Sequence, residues 1–226
     1  MVIKVIAKYI CICIFGNHFN YTNLKNLIMI KLENIDLWPL KINGQYHKIA
    51  QKIVYDLRKV KRTGWVDRGV REPETVYEHT ETLIILADKY FSDIAGLTRM
   101  LKIHDWAESD KKVGDRRTDK FCPIETRWNK EQKFEVELAA MQNICQKLEI
   151  YGDEIMNLWL EYEKRETERA RIAYELDKFQ AIIKAIEYQK AGEPVKASEF
   201  IGADGPKIKH GILRRILREK MAEISL

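Results

Sequence analysis

The chain has 226 residues, enough to bury a substantial core in one or two domains. It is 46% hydrophobic and 32% charged, which fits a soluble globular protein. The net charge of +5 is modest and spread along the chain, so it does not by itself mark a nucleic-acid binder, though it suits attraction of anionic nucleotides.

Residues 2–15 are apolar but interrupted by Lys4 and Lys8, too short and too charged to span a membrane. No small-x-small cleavage site follows Phe15, so a signal peptide or anchor is the less favoured reading, and residues 1–30 read as an N-terminal extension of uncertain role, or a start-site artefact ahead of Met29, before one domain over residues 31–226. Cys11, Cys13, Cys122 and Cys145 make neither a CxxC pair nor a disulfide-dense pattern, which points to reduced thiols in the cytoplasm. Residues 31–44, with Pro39 and Gly44, form a loop-rich segment leading in. Ile49, Ile53, Val54 and Leu57 then recur at helical spacing and predict a helix over residues 46–59.

Gly64, Gly69 and Pro73 exclude a regular helix over residues 62–74. That loop carries Arg62, Arg68 and Arg71, and guanidinium matches phosphate oxygens bidentately. Arg68 and Arg71 are more simply solvated loop charges. Residues 74–91 predict a helix, with Pro73-Glu74 at its start and His79 in its opening turns. Leu97, Met100, Leu101 and Ile103 predict another, which places His104, Asp105 and Glu108 on one side at spacings of three and four. Residues 111–123 are polar and loop-like. Residues 128–149 and 153–165 are amphipathic, and the charge-dense stretch 161–169 is a solvated helix or connection.

The next helix carries Asp177 beside an apolar stripe of Ile172, Leu176, Phe179, Ile183 and Ile186. Ala173 and Ala181 flank Asp177 four residues to either side and leave room there. Residues 192–206, with three glycines and two prolines, predict a loop, and residues 208–224 a final helix. No alternating strand pattern appears, so the fold class is all-α.

His79, His104, Asp105 and Asp177, in the order H…HD…D, are a ligand set for one divalent metal. Imidazole nitrogen and carboxylate oxygen suit Mn, Fe, Co, Ni or Zn, and no thiolate is required. Four protein ligands on a larger ion leave positions for water and substrate, as in catalytic sites. Taken singly, each residue has an ordinary reading: a helical histidine is more often a core or surface residue, and an Asp on a mixed face is usually solvated.

The ordered set is more specific. Arg62-Thr-Gly-Trp65-Val-Asp-Arg-Gly-Val70-Arg-Glu-Pro-Glu74-Thr-Val-Tyr-Glu78-His79, then His104-Asp105, Val113-Gly114-Asp115 and Glu175-Leu-Asp177-Lys178, resembles the HD-domain 5′-deoxynucleotidases over residues 46–188. The resemblance implies a single HD-domain helical bundle. It implies hydrolysis of (deoxy)nucleoside 5′-monophosphates with a divalent ion such as Mn, Co, Zn or Mg on His79, His104, Asp105 and Asp177. Glu108 would be the acid/base carboxylate, Asp115 a second site carboxylate touching the sugar, and Arg62 and Trp65 the contacts to phosphate and nucleoside. It also implies a homodimer.

One departure stands out. His104 and Asp115 are eleven residues apart, against nine usual in the family, because residues 109–112 are longer. Either this loop still delivers Asp115 or Asp110 takes its place. Two other readings stay open: a related phosphohydrolase acting on a nucleoside triphosphate, cyclic nucleotide or alarmone, and a helical module without catalysis that binds nucleic acid or protein through its basic C-terminal helix.

Overall fold

A computed structural model describes residues 45–118 and 127–224. Residues 1–44, read above as an extension and a loop-rich lead-in, lie outside them. Every regular element among the described residues is helical; an isolated antiparallel bridge joins Lys61 to Thr75. No described helix is long and apolar enough to cross a membrane.

The first helix, α1 (Gln45–Leu57), buries Ala50, Ile53 and Leu57. The loop over residues 62–74 contains one helical turn, α2 (Thr63–Val66), before Gly69 reverses the chain at φ +75°. Helix α3 (Val76–Tyr90) starts later than Pro73-Glu74 suggested. Thr75 is its N-cap, and a capping box closes the end: the Thr75 hydroxyl accepts from the Glu78 N–H, and the Glu78 carboxylate accepts from the Thr75 N–H. Glu74 is thereby freed to turn inward, where it is buried.

Helix α4 (Leu97–Ile103) begins after Gly96, whose φ is +78° and where a Cβ would lie 2.5 Å from the Arg169 guanidinium. It ends at Ile103. His104 closes it, and a separate 3₁₀ turn, Trp106–Ser109, carries Glu108. Glu108 therefore does not share one α-helical face with His104 and Asp105 as its spacing suggested; the backbone changes pitch between them.

Helices α5 (Lys130–Leu148) and α6 (Gly152–Lys164) pack side by side. A Cβ at Gly152 would sit 2.3 Å from the Cys145 carbonyl oxygen, so only glycine permits that approach. Helix α7 (Glu168–Lys190) is the axis of the bundle: α3, α4, α6, α8 and α9 all pack on it. Its stripe buries Ile172, Leu176, Phe179, Ile182 and Ile186, and Asp177 lies buried among them. Truncating Leu176 to Ala removes a fully buried side chain at this axis, at a cost of about 2–5 kcal/mol.

Residues 192–206 are not a plain loop. Gly192, at φ +75°, ends α7, and α8 (Ala197–Asp204) folds back onto it. Ala197 is fully buried, and its N–H donates to Gln189 Oε1 at 2.8 Å. Gly202 and Gly205 disguised an eight-residue helix that tertiary packing supports. The last helix, α9 (Gly211–Ala222), buries Leu213 and Leu217 against α7 and carries basic residues on its outer side.

Candidate active site

Three elements converge at one point: α3 brings His79, the end of α4 brings His104 and Asp105, and α7 brings Asp177. His79, His104 and Asp105 offer ligand atoms within 4.8 Å of one another. Asp177 joins them, with Oδ1 3.2 Å from His79 Nε2. Asp105 Oδ2 is 3.1 Å from His104 Nε2 and 3.9 Å from His79 Nε2.

Each histidine is anchored by its other nitrogen. His79 Nδ1 lies 2.7 Å from Gln180 Oε1, and His104 Nδ1 lies 2.8 Å from the Leu101 carbonyl oxygen. Those acceptors favour the proton on Nδ1 and turn the Nε2 lone pair inward. Both Nε2 atoms are buried without a hydrogen-bond partner. Buried polar atoms are rarely left so, and two imidazole lone pairs facing two carboxylates fit a divalent cation.

The carboxylates are charged for that task. Burial disfavours ionisation of Asp105, but His104, His79 and Arg62 outweigh it and hold its carboxyl well below the usual range. Burial likewise opposes ionisation of Asp177, and Lys178, His79 and Arg62 override it. Lys178 Nζ is 2.8 Å from Asp177 Oδ2.

These residues lie in a cleft of about 280 Å³. Glu108 lines it beside Asp105, and burial together with the charges of Asp105 and Asp115 pushes its carboxyl well above the ordinary carboxylate range. Arg62, the residue before α2, points Nη1 to within 3.9 Å of Asp105 Oδ2. Burial disfavours its charge, but Asp115, Asp177 and Asp105 hold it firmly protonated.

The longer loop still delivers Asp115. The Val113 and Gly114 N–H groups both donate to the Asp110 carbonyl at 3.0 Å, and Gly114 adopts φ +59°. This tight turn absorbs the extra residues. Asp115 then docks on α2: the Thr63 N–H donates to its carboxylate, and its carbonyl accepts from the Thr63 hydroxyl at 2.5 Å. Asp115 lines the cleft; the Asp110 side chain instead accepts from the Lys112 N–H.

Trp65 is a rigid wall of the cleft. It is 2% exposed, stacks on Phe200 at 4.7 Å, meets Tyr188 edge-on at 5.1 Å, and donates its indole N–H to Glu74 at 2.9 Å. Arg68 is not a solvated charge as its loop position suggested. It lines the cleft, lies over the Phe200 ring and pairs with Glu199 at 3.2 Å. Arg71 is exposed and pairs with Glu193, away from the cleft.

Three contributors were not singled out from the sequence. Phe200 of α8 lines the cleft and stacks on Trp65, in a segment that read as loop. Gln180 follows Asp177 by three residues, and its amide gave no local sign of reaching His79. Lys133 of α5 reaches the cleft, with Nζ 3.4 Å from Glu108. No spacing connects residue 133 with residue 108.

The chain matches the HD domain family over residues 54–216. It is 33% identical to the 5′-deoxynucleotidase HDDC2 of Xenopus laevis over 165 residues, covering 70% of this chain and 78% of that protein. It is 33% identical to the 5′-deoxynucleotidase hdd1 of Schizosaccharomyces pombe over 176 residues, covering 74% and 84%. Among solved structures, a conserved hypothetical protein from Pyrococcus furiosus superposes with a TM-score of 0.57 at 27% identity, covering 79% of this chain and 98% of that one.

Proposed function

We infer that this chain, which belongs to the HD domain family, is a metal-dependent phosphohydrolase that cleaves (deoxy)nucleoside 5′-monophosphates to nucleoside and inorganic phosphate. One observation carries the reading. Two partnerless imidazole nitrogens meet two carboxylates, Asp105 and Asp177, that line a cleft together with Arg62, Lys133 and Asp115. The similarity to 5′-deoxynucleotidases supports the substrate class.

His79, His104, Asp105 and Asp177 would hold the divalent ion, whose chemistry when bound is Lewis-acid activation of water and phosphate. Arg62 binds the phosphoryl oxygens and offsets the charge they gain in the transition state. Its guanidinium is already positioned by the surrounding carboxylates, so little reorganisation is needed. Glu108 receives the proton of the attacking water and returns it to the 5′-oxygen as the P–O bond breaks. A carboxyl whose proton affinity is raised by burial is suited to exchange protons with water and the leaving oxygen. Asp115 accepts a hydrogen bond from the 3′-hydroxyl, and the fixed face of Trp65 restricts space at C2′, which favours the deoxy sugar. Phe200, which also lines the cleft, would offer the base an aromatic surface.

The same reading extends to a cytoplasmic homodimer; sedimentation equilibrium at the mass of a single chain would contradict the dimer. The substrate is tested by phosphate release from mono-, di-, tri- and cyclic nucleotides under Mn, Co, Zn and Mg. The reading requires deoxynucleoside 5′-monophosphates to be preferred. Preferred turnover of triphosphates or cyclic nucleotides would move the protein to a different branch of phosphohydrolase chemistry.

A further inference from the structure

Lys133 is a cation with no assigned task. It lies in the first turns of α5, where Asn129 caps the helix, and its backbone N–H donates to the Asn129 carbonyl at 3.1 Å. Its side chain runs inward rather than into solvent and is 26% exposed. Nζ sits between two carboxylates, 3.4 Å from Glu108 Oε1 and 3.3 Å from Glu137 Oε1. Glu137 is one turn further along the same helix, so Glu137 and Lys133 form an i, i+4 pair with its end aimed at the cleft.

Glu108 sits at the receiving end. It comes from a different element, the 3₁₀ turn after α4, and is itself 2% exposed. Its two oxygens are not equivalent. Oε1 faces Lys133, while Oε2 is buried and has no hydrogen-bond partner. A carboxylate that must aim one oxygen at a water molecule needs its plane fixed by the other. Otherwise rotation about the terminal torsion, which is soft and roughly two-fold, would exchange the two oxygens. A lysine alone is a poor clamp, because its flexible four-carbon stem carries much rotamer entropy. Glu137 removes that freedom by holding the ammonium from behind.

We propose that Lys133, held by Glu137, is a positioning residue that fixes the orientation of the Glu108 carboxylate for proton exchange with the attacking water. The claim rests on the phosphohydrolase reading for its catalytic consequence and on geometry alone for the orientation of Glu108.

The test uses the full chain loaded with Mn, assayed on thymidine 5′-monophosphate, with Lys133→Met, Lys133→Arg, Glu137→Gln, Glu108→Gln and the Lys133→Met/Glu108→Gln double variant. Loss of an orienting partner of a general acid–base residue should cost about 10²-fold in kcat, within the range such catalysis supplies. KM and metal stoichiometry should stay at wild-type values. Lys133→Arg should recover most of the loss, and Glu137→Gln should fall between. The double variant should be no slower than Glu108→Gln, because residues acting as one unit are not additive.

A raised KM at unchanged kcat would make Lys133 a phosphate-binding charge and overturn the proposal. So would a double variant slowed by the product of the two single effects. The crystal structure of Lys133→Met gives a readout independent of turnover: the Glu108 carboxylate should rotate or split over two orientations, and an unmoved carboxylate contradicts the claim. If the wild-type protein released phosphate from no nucleotide, the functional reading would fall, and the Glu108 orientation would still decide the positioning claim.

Discussion

His79 Nδ1 and Gln180 Oε1 lie 2.7 Å apart, and that contact sets the direction in which the imidazole enters the cleft. Gln180 is itself held: its amide N–H donates to Glu74 Oε2 at 3.0 Å, and Glu74 Oε1 accepts from the Trp65 indole at 2.9 Å. One buried chain of hydrogen bonds therefore links the wall of the cleft to the His79 imidazole. Partners of this kind typically contribute 10- to 100-fold in metal affinity. Gln180→Ala is thus expected to weaken Mn binding by roughly that factor, read by competition with a chromogenic chelator. Unchanged affinity would mean that Leu83, Ile84 and the rest of the α3 core hold His79 without help.

Asp115 and Asp110 separate cleanly in the structure, one in the cleft and the other turned to the Lys112 N–H. A site built to bond a hydroxyl discriminates strongly against a substrate that lacks it. Asp115→Ala should therefore lower kcat/KM much more for 3′-hydroxyl substrates than for 3′-deoxy analogues. Asp110→Ala should leave both near wild type. Equal losses on both substrates for Asp115→Ala would remove the sugar contact from this account.

Glu137 carries a pH signature. Burial pushes its carboxyl up to about 7 from an ordinary 4.5, against the opposing pull of Lys133. Between those two values the folded protein binds more protons than the unfolded chain. Stability contributed by this group is therefore present below pH 4.5 and lost as pH rises to 7. The change is about 3 kcal/mol, from 1.36 kcal/mol per unit of pKa. Glu137→Gln should flatten the pH dependence of the urea midpoint across that window relative to wild type. Parallel pH profiles for the two proteins would show that Glu137 titrates normally.

The N-terminal extension precedes the HD domain match at residues 54–216. A chain begun at Met29 is expected to fold and to keep wild-type turnover and metal content. Aggregation or lost activity on truncation would mean that residues 2–15 belong to the domain.

The all-α class was legible because apolar residues recur at helical spacing in α1, α3, α5, α6 and α7. The clustering of His79, His104, Asp105 and Asp177 was legible because they are chemically matched residue types in a specific order. What stayed hidden depends on tertiary contacts. Glu108 keeps helical spacing from His104, yet the backbone passes into a 3₁₀ turn between them, a change of pitch the side-chain pattern does not encode. Helix α8 is short and contains Gly202, so its propensity is weak, and its packing on α7 decides its form. Lys133 and Gln180 act across elements, and their partners at residues 108 and 79 share no local register with them. Trp65, expected as a ligand contact, is both buried and a wall of the cleft, because the core runs up to the site.

The most direct test removes one carboxylate from the centre of the site. Asp105 faces both histidine Nε2 atoms and Arg62, so Asp105→Ala deletes an anion that three groups share. Elemental analysis and phosphate release from thymidine 5′-monophosphate should be measured on the same preparations of wild type and variant. The account requires about one metal ion per wild-type chain. It requires Asp105→Ala to lose that ion and the turnover together while its helical circular dichroism is unchanged. An Asp105→Ala protein that retained stoichiometric metal and wild-type turnover would contradict the central claim.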